Sequence, residues 1–146
     1  NFADSTSNDW QLTGCQLEVG TAASDFEFLP VDVNLARCQR YFFQIQGNSS
    51  ANTGLGTGFC NSATAAQTYL KYPTTMRSTP SITGSSGLQT SDGSTYTKSA
   101  TGVTVDSGST VSMHLNVAAS SMTVFRGCFN TLTNSTSSYI AFSSEL

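Results

Sequence analysis

Charge is what this chain has least of. Only 10% of its 146 residues are Asp, Glu, Lys or Arg, against about 25% in an average globular domain. The six basic residues are scattered from Arg37 to Arg126, and the formal net charge is -3. Nucleic acid needs a basic patch or stripe, and none is present. An anionic bilayer is disfavoured for the same reason. No apolar run approaches the ~20 residues of a membrane-spanning helix. Histidine occurs once, at His114. A single imidazole without a Gly-x-Ser-x-Gly elbow gives a serine triad no support, and it leaves a zinc site short of nitrogen ligands. None of the nine acids lies in a context that marks a catalytic carboxylate pair. No enzyme activity, metal or cofactor is therefore expected.

Cysteine is also sparse. Cys15, Cys38, Cys60 and Cys128 are too few for a disulfide scaffold, and their spacing fits neither a Cys-x-x-Cys metal pair nor a redox motif. Cys38 and Cys128 have apolar or aromatic neighbours, which suits buried free thiols. All four are expected to be reduced. The chain starts Asn1-Phe2-Ala3 with neither an initiator Met nor a visible signal peptide, so it is expected to be part of a longer polypeptide.

What the sequence does contain points to strands. Ser and Thr fill the polar positions that Lys, Glu and Arg would fill on helix surfaces, while Val, Phe and Tyr favour a pleated surface. Residues 1–9 read as a frayed lead-in. Trp10 to Val19 alternates, with Thr13, Cys15, Leu17 and Val19 on one face. Val33 to Cys38 can hold one or two helical turns, with Asp32 as N-cap and Leu35 and Cys38 facing inward. Arg40 to Gln46 is a strong strand signal, with Tyr41, Phe43 and Ile45 on one face. Gly47 to Gly58 reads as a loop of Asn, Ser, Thr and Gly. Thr64 to Tyr72 alternates, setting Thr68, Leu70 and Tyr72 against Gln67, Tyr69 and Lys71. Pro80 marks the start of a strand or a sheet edge. Thr110 to Val117 sends Val111, Met113, Leu115 and Val117 inward, and Ser112, His114 and Asn116 outward. Met122 to Phe129 and Tyr139 to Ser143 complete the set.

Short, evenly spaced strands with Gly and Asn turns predict an all-β fold. The expected architecture is a single antiparallel, jelly-roll-like β-sandwich over 1–146, with at most one short helix near 33–38. Its expected core is Tyr41, Phe43, Ile45, Leu70, Val111, Met113, Leu115, Val124 and Phe142.

An ordered set of motifs runs along the chain. It comprises Gln16-Leu17-Glu18-Val19-Gly20, Asp25-Phe26-Glu27, Leu35-Ala36-Arg37-Cys38-Gln39-Arg40-Tyr41-Phe42, Met76-Arg77-Ser78-Thr79-Pro80 and the terminal Glu145-Leu146. This set resembles the C-terminal receptor-binding domain of bacteriophage tail-fibre and related virion proteins. That family runs Gln-Leu-Glu-x-Gly, Ala-Thr-Pro-Phe-Glu, Leu-Ala-x-Cys-Gln-Arg-Tyr-Tyr, Met-Arg-x-x-Pro and a final Ala-Glu-Leu. The chain departs from it at Ser24-Asp25, Phe42 and Ser144.

The resemblance implies a non-enzymatic, β-rich recognition head in a virion. Such a head is expected to form a homotrimer, to contact other virion proteins and to bind a host-surface glycan or protein. It makes Asp25 and Glu27 part of a structural turn and leaves the two glycosylation sequons, at Asn48 and Asn134, without meaning. Two other classes compete: a purely structural virion piece, such as a fibre collar or capsid decoration, and a secreted carbohydrate-binding module.

Within the fibre-head reading, the candidate ligand site is the Gly-, Ser- and Thr-rich segment 84–102. Tyr96 can offer a ring face to sugar C–H groups, and Asp92, Ser94 and Lys98 can exchange hydrogen bonds with hydroxyls. A plain polar strand pair is the competing reading. The loop from Asn48 to Thr57 is the second candidate. Arg40, Arg77 and Glu145 are expected to tie loops to the sandwich, and His114 to be a solvated strand residue.

Overall fold

The computed structural model describes residues 12–22, 24–93 and 98–145. Among these the chain forms one helix and ten strands. The helix α1 spans Val31–Gln39. The strands are β1 Phe42–Gln46, β2 Thr53–Ser62, β3 Ala65–Lys71, β4 Ser81–Ser86, β5 Leu88–Ser91, β6 Lys98–Ser99, β7 Gly102–Gly108, β8 Ser112–Ala118, β9 Gly127–Leu132 and β10 Tyr139–Ser143. They pair into a three-stranded sheet ordered β1-β10-β4 and a seven-stranded sheet ordered β6-β5-β9-β2-β3-β8-β7. Every pairing is antiparallel. The fold is an all-β sandwich with two sheets of unequal width.

The core follows from the period-2 pattern of the central strands. In β10, Ile140 and Phe142 are fully buried, and so are Met113, Leu115 and Val117 in β8. Leu55, Leu70, Leu88 and Leu132 complete the layer between the sheets. Phe43 on β1 pairs in register with Phe142, and their rings stack at 6.0 Å. Tyr72, just past β3, meets the same Phe142 ring at 6.1 Å. Phe43, Ile45, Leu70, Met113, Leu115 and Phe142 thus take the places expected of them.

Other expectations are corrected. Tyr41, Val111 and Val124 are exposed. Each lies just outside a strand: Tyr41 before β1, Val111 before β8, and Val124 in the connection to β9, which begins at Gly127 and not at Met122. Alternation does not continue past a strand end. The helix begins at Val31 and has Pro30, not Asp32, at its N-cap. The Pro30 carbonyl accepts from the Asn34 N–H at 3.0 Å, and Pro is pre-organised to open a helix. No residue of α1 is buried, so Leu35 and Cys38 face solvent.

Within the expected strand 10–19, residues 12–19 pair with no strand among the described residues. The expected loop 47–58 contains the start of β2. Its glycines read as flexible, yet two of them, Gly56 and Gly58, are what allows β2 to lie close to β3. A Cβ on Gly58 would come within 1.7 Å of the Gln67 carbonyl oxygen, and one on Gly56 within 2.8 Å of Thr68 Cγ2. The segment 84–102 likewise carries β5 and β6 and the end of β4.

All four cysteines are free thiols; Cys60 and Cys128 are buried, and Cys15 and Cys38 are exposed. Burial pushes the Cys60 thiol up. It pushes Cys128 up to about 11, with the neighbouring Cys60 adding to the effect. Both therefore stay protonated and unreactive at neutral pH. A thiol reagent added to the folded protein is expected to label two groups promptly and the remaining two only after denaturation. Prompt labelling of three or four groups, or a total below four in denaturant without reductant, would contradict this arrangement.

Candidate functional site

The motif residues converge at two places. At the start of β1, the Arg40 carbonyl accepts from the Arg77 N–H at 2.7 Å and from the Ser144 hydroxyl at 2.8 Å. The Ser144 N–H donates to the Tyr41 carbonyl at 2.8 Å, and the Ser78 hydroxyl reaches the Ser144 carbonyl at 3.4 Å. The Arg77 guanidinium lies 5.9 Å from the centre of the Tyr41 ring. Three segments distant in sequence are thus tied at one end of the small sheet, with Met76 buried beneath them.

The second cluster is nearer the N-terminus. Glu18 Oε1 accepts from the Ser24 N–H, and Glu18 Oε2 from the Ser24 hydroxyl, both at 2.5 Å. These bonds, the hydroxyl's first, hold the Glu18 carboxyl below the usual carboxylate range. Gln16 Oε1 accepts from the Glu27 N–H at 2.9 Å. The motif residues placed here by side-chain bonding are tied to one another.

Two of the four residues singled out for ligand contact are brought together, Asp92 buried and Lys98 partly exposed above it. Asp92 is only 1% exposed. Its Oδ2 accepts from Lys98 Nζ at 3.1 Å and from the Thr123 N–H at 2.8 Å. The Lys98 ammonium also donates to the Ser121 carbonyl. A buried carboxylate needs such partners, and here they tie the β5–β6 hairpin to the connection before β9. Ser94 and Tyr96 lie outside the described residues. In the second candidate loop, Asn48 Oδ1 accepts from the N–H groups of Ser50 and Ala51 at 2.8 and 2.7 Å. That is a local Asx turn leading into β2.

The outer face of the large sheet carries a different grouping. Phe129 on β9, Phe59 on β2 and Tyr69 on β3 are 46%, 47% and 56% exposed. Register sets Phe129 across from Thr57, Phe59 across from Gln67, and Tyr69 across from His114. The Tyr69 and His114 rings meet edge to face at 5.3 Å, and the Tyr69 hydroxyl donates to Ser112 Oγ at 2.7 Å. Gln67 Nε2 donates to Asp106 Oδ2 at 3.0 Å.

Two shallow depressions flank this pair of rings. One, of about 110 Å³, is lined by Thr57, Phe59, Gln67, Tyr69 and His114. The other, of about 240 Å³, is lined by Tyr69, His114, Ser107, Ser109 and Ser112. Aromatic faces beside hydroxyl, amide and carboxylate groups can hold a polyol through C–H packing and directed hydrogen bonds. The outward phase of Tyr69 and His114 is visible in the sequence. Their place beside Phe59 and Phe129 depends on strand order.

Among the described residues, no three His, Cys, Asp or Glu side chains lie close enough to hold a metal ion. No described helix is long and apolar enough to cross a membrane. No family model, curated protein or solved structure matches the chain.

Proposed function

We propose that this chain is a non-enzymatic recognition head of a phage fibre, a homotrimer that binds a host-surface glycan on the outer face of its large sheet. The observation that carries the ligand half is the exposure of Phe59, Tyr69 and Phe129 on neighbouring strands, with His114, Gln67 and Asp106 beside them. Single exposed apolar residues are ordinary on protein surfaces, but a contiguous aromatic patch edged by polar groups is typical of a binding surface. The low charge of the chain suits a neutral polyhydroxylated ligand better than a nucleic acid. The fibre assignment rests on the motif resemblance.

The test is binding of the purified chain to an array of bacterial surface polysaccharides. Tyr69→Ala is expected to lower binding at least tenfold while the circular dichroism spectrum stays unchanged, because the ring is more than half exposed. Tyr96→Ala, in the 84–102 segment, is the comparison. If Tyr96→Ala abolishes binding and Tyr69→Ala leaves it intact, the site belongs to that segment and the sheet-face assignment is wrong. Wild-type chain that binds no polysaccharide would favour a purely structural role in the virion.

A further inference from the structure

The connection into β9 holds a side chain in a conformation that does not suit it. The Arg126 N–H donates to the Thr123 carbonyl at 3.2 Å, closing a turn over Thr123 to Arg126 whose third residue, Phe125, has φ +61°. A turn with positive φ at that position and not at the one before it is type II, where glycine is the favoured residue. The Phe125 N–H donates to the Cys60 carbonyl at 2.7 Å, and the Cys60 N–H to the Arg126 carbonyl at 2.9 Å. Phe125 and Arg126 therefore both oppose Cys60, in a β-bulge whose first position is again ordinarily glycine. Two local rules favour glycine, and the chain places phenylalanine. Packing does not account for the choice, because the residue is 85% exposed. Strained residues cluster at ligand-contact sites, and bulges there re-aim a side chain.

We infer that Phe125 is a further ligand-contact residue, and that the aromatic face takes a linear oligosaccharide of at least two sugar units. Gly127 lies directly across from Phe59, and Phe125 and Phe129 stand two residues to either side of it. Diagonal neighbours across a strand pair are within reach of aromatic rings. Three phenylalanines thus border one glycine, and the space above it is open: the nearest atom that a Cβ there would meet is the Gly58 carbonyl oxygen, at 4.0 Å. A sugar ring can lie over this bare stretch with its C–H groups against the rings. Thr57 and Gln67, in register with Phe129 and Phe59, add neutral groups that can bond its hydroxyls. On the other side of Phe59 lies the depression of about 110 Å³ that Gln67, Tyr69 and His114 help to line. Phe59 therefore divides two adjacent places, and a chain of sugars can span both. A peptide fits less well. β2 and β9 are each paired on both sides, so this surface has no free strand edge to which a peptide could add.

The inference rests on the glycan reading of the sheet face, and the test separates the two. Binding is measured on the same array of bacterial surface polysaccharides, with their constituent free monosaccharides as competitors. Phe125→Gly is expected to weaken polysaccharide binding roughly fivefold or more and to raise the urea denaturation midpoint, because glycine adopts a positive φ without steric cost. A ring held there for the fold would give a lower midpoint, and that result overturns the inference. Gly127→Val is expected to weaken binding by a similar factor with the midpoint unchanged or raised, because its Cβ has room and valine suits a strand. Free monosaccharide should compete at least tenfold less well than the polysaccharide in solution, and equal competition overturns the inference. Binding that Tyr69→Ala abolishes and that both Phe125→Gly and Gly127→Val leave intact overturns it too, while the glycan site at Tyr69 stands. A wild-type chain that binds no polysaccharide overturns both.

Discussion

Gly87→Ala is expected to destabilise the protein by about 2–5 kcal/mol, an effect that at its upper end equals the whole stability of a marginal domain. Gly87 is the single residue between β4 and β5, so it carries the chain from the small sheet to the large one. Its φ of +65° is a left-handed conformation that costs a side-chain-bearing residue about 1–2 kcal/mol. Space is missing as well. A Cβ there would lie 2.1 Å from Ser138 Oγ and 2.7 Å from both Ser138 Cβ and Thr133 Oγ1. Those two hydroxyls are hydrogen-bonded to each other, and the Gly87 carbonyl accepts from the Thr133 N–H at 2.8 Å. Neither neighbour can give way without breaking a bond, and overpacking of this kind adds about 1–3 kcal/mol.

Two other glycines separate the causes. Gly93 has φ +71° but open space around its Cβ position, so Gly93→Ala should show the backbone cost alone, about 1–2 kcal/mol. Gly54 has neither constraint, so its replacement by Ala should fall between no change and a gain of about 1 kcal/mol. Urea denaturation followed by circular dichroism measures all three. A loss below ~1 kcal/mol for Gly87→Ala would mean that the crossover between the sheets is not tight.

The same glycines mark the limit of what the sequence made legible. Tyr139–Ser143 was readable with its bounds intact, and β3 and β8 to within a residue or two, because apolar and polar residues alternate there without interruption. β2 was hidden because Gly54, Gly56 and Gly58 carry no side chains to alternate. The role of Gly56 and Gly58 is to let β3 approach, which depends on a neighbour and not on the strand itself. Residues 12–19 show the converse case. They alternate well, yet pairing needs an adjacent strand, and none is supplied within the described residues of this chain. Asp92 and Lys98 were visible as polar groups in a polar segment, but the connection that buries them is distant in sequence, with Thr123 31 positions from Asp92. The aromatic face was partly visible: outward Tyr69 and His114 follow from strand phase, whereas Phe59 and Phe129 join them only through the order β9-β2-β3-β8.

Phe142→Ala should cost about 3–5 kcal/mol, the range for removing a fully buried aromatic side chain. Phe142 sits on the central strand of the small sheet and is 0% exposed. Its ring contacts both layers: Phe43 at 6.0 Å on the neighbouring strand and Tyr72, past the end of β3, at 6.1 Å. From the small sheet, Phe43, Ile45, Ile82 and Ile140 join it in the same core cluster. Collapse around the cavity is restricted, because β10 is paired on both sides and cannot shift without breaking a ladder. Burial also pushes the Tyr72 hydroxyl up to about 12, and opening a cavity beside it should bring that value back toward the ordinary tyrosine range. Leu115→Ala, on the opposite sheet, should cost roughly 2–5 kcal/mol. A cycle of Phe43→Ala and Phe142→Ala should return a coupling of about 0.5–1.5 kcal/mol from the ring pair. Additivity of those two changes within ~0.3 kcal/mol would show that the rings do not touch. A Phe142→Ala loss under ~1 kcal/mol would show that the sheets are held together by something other than β10.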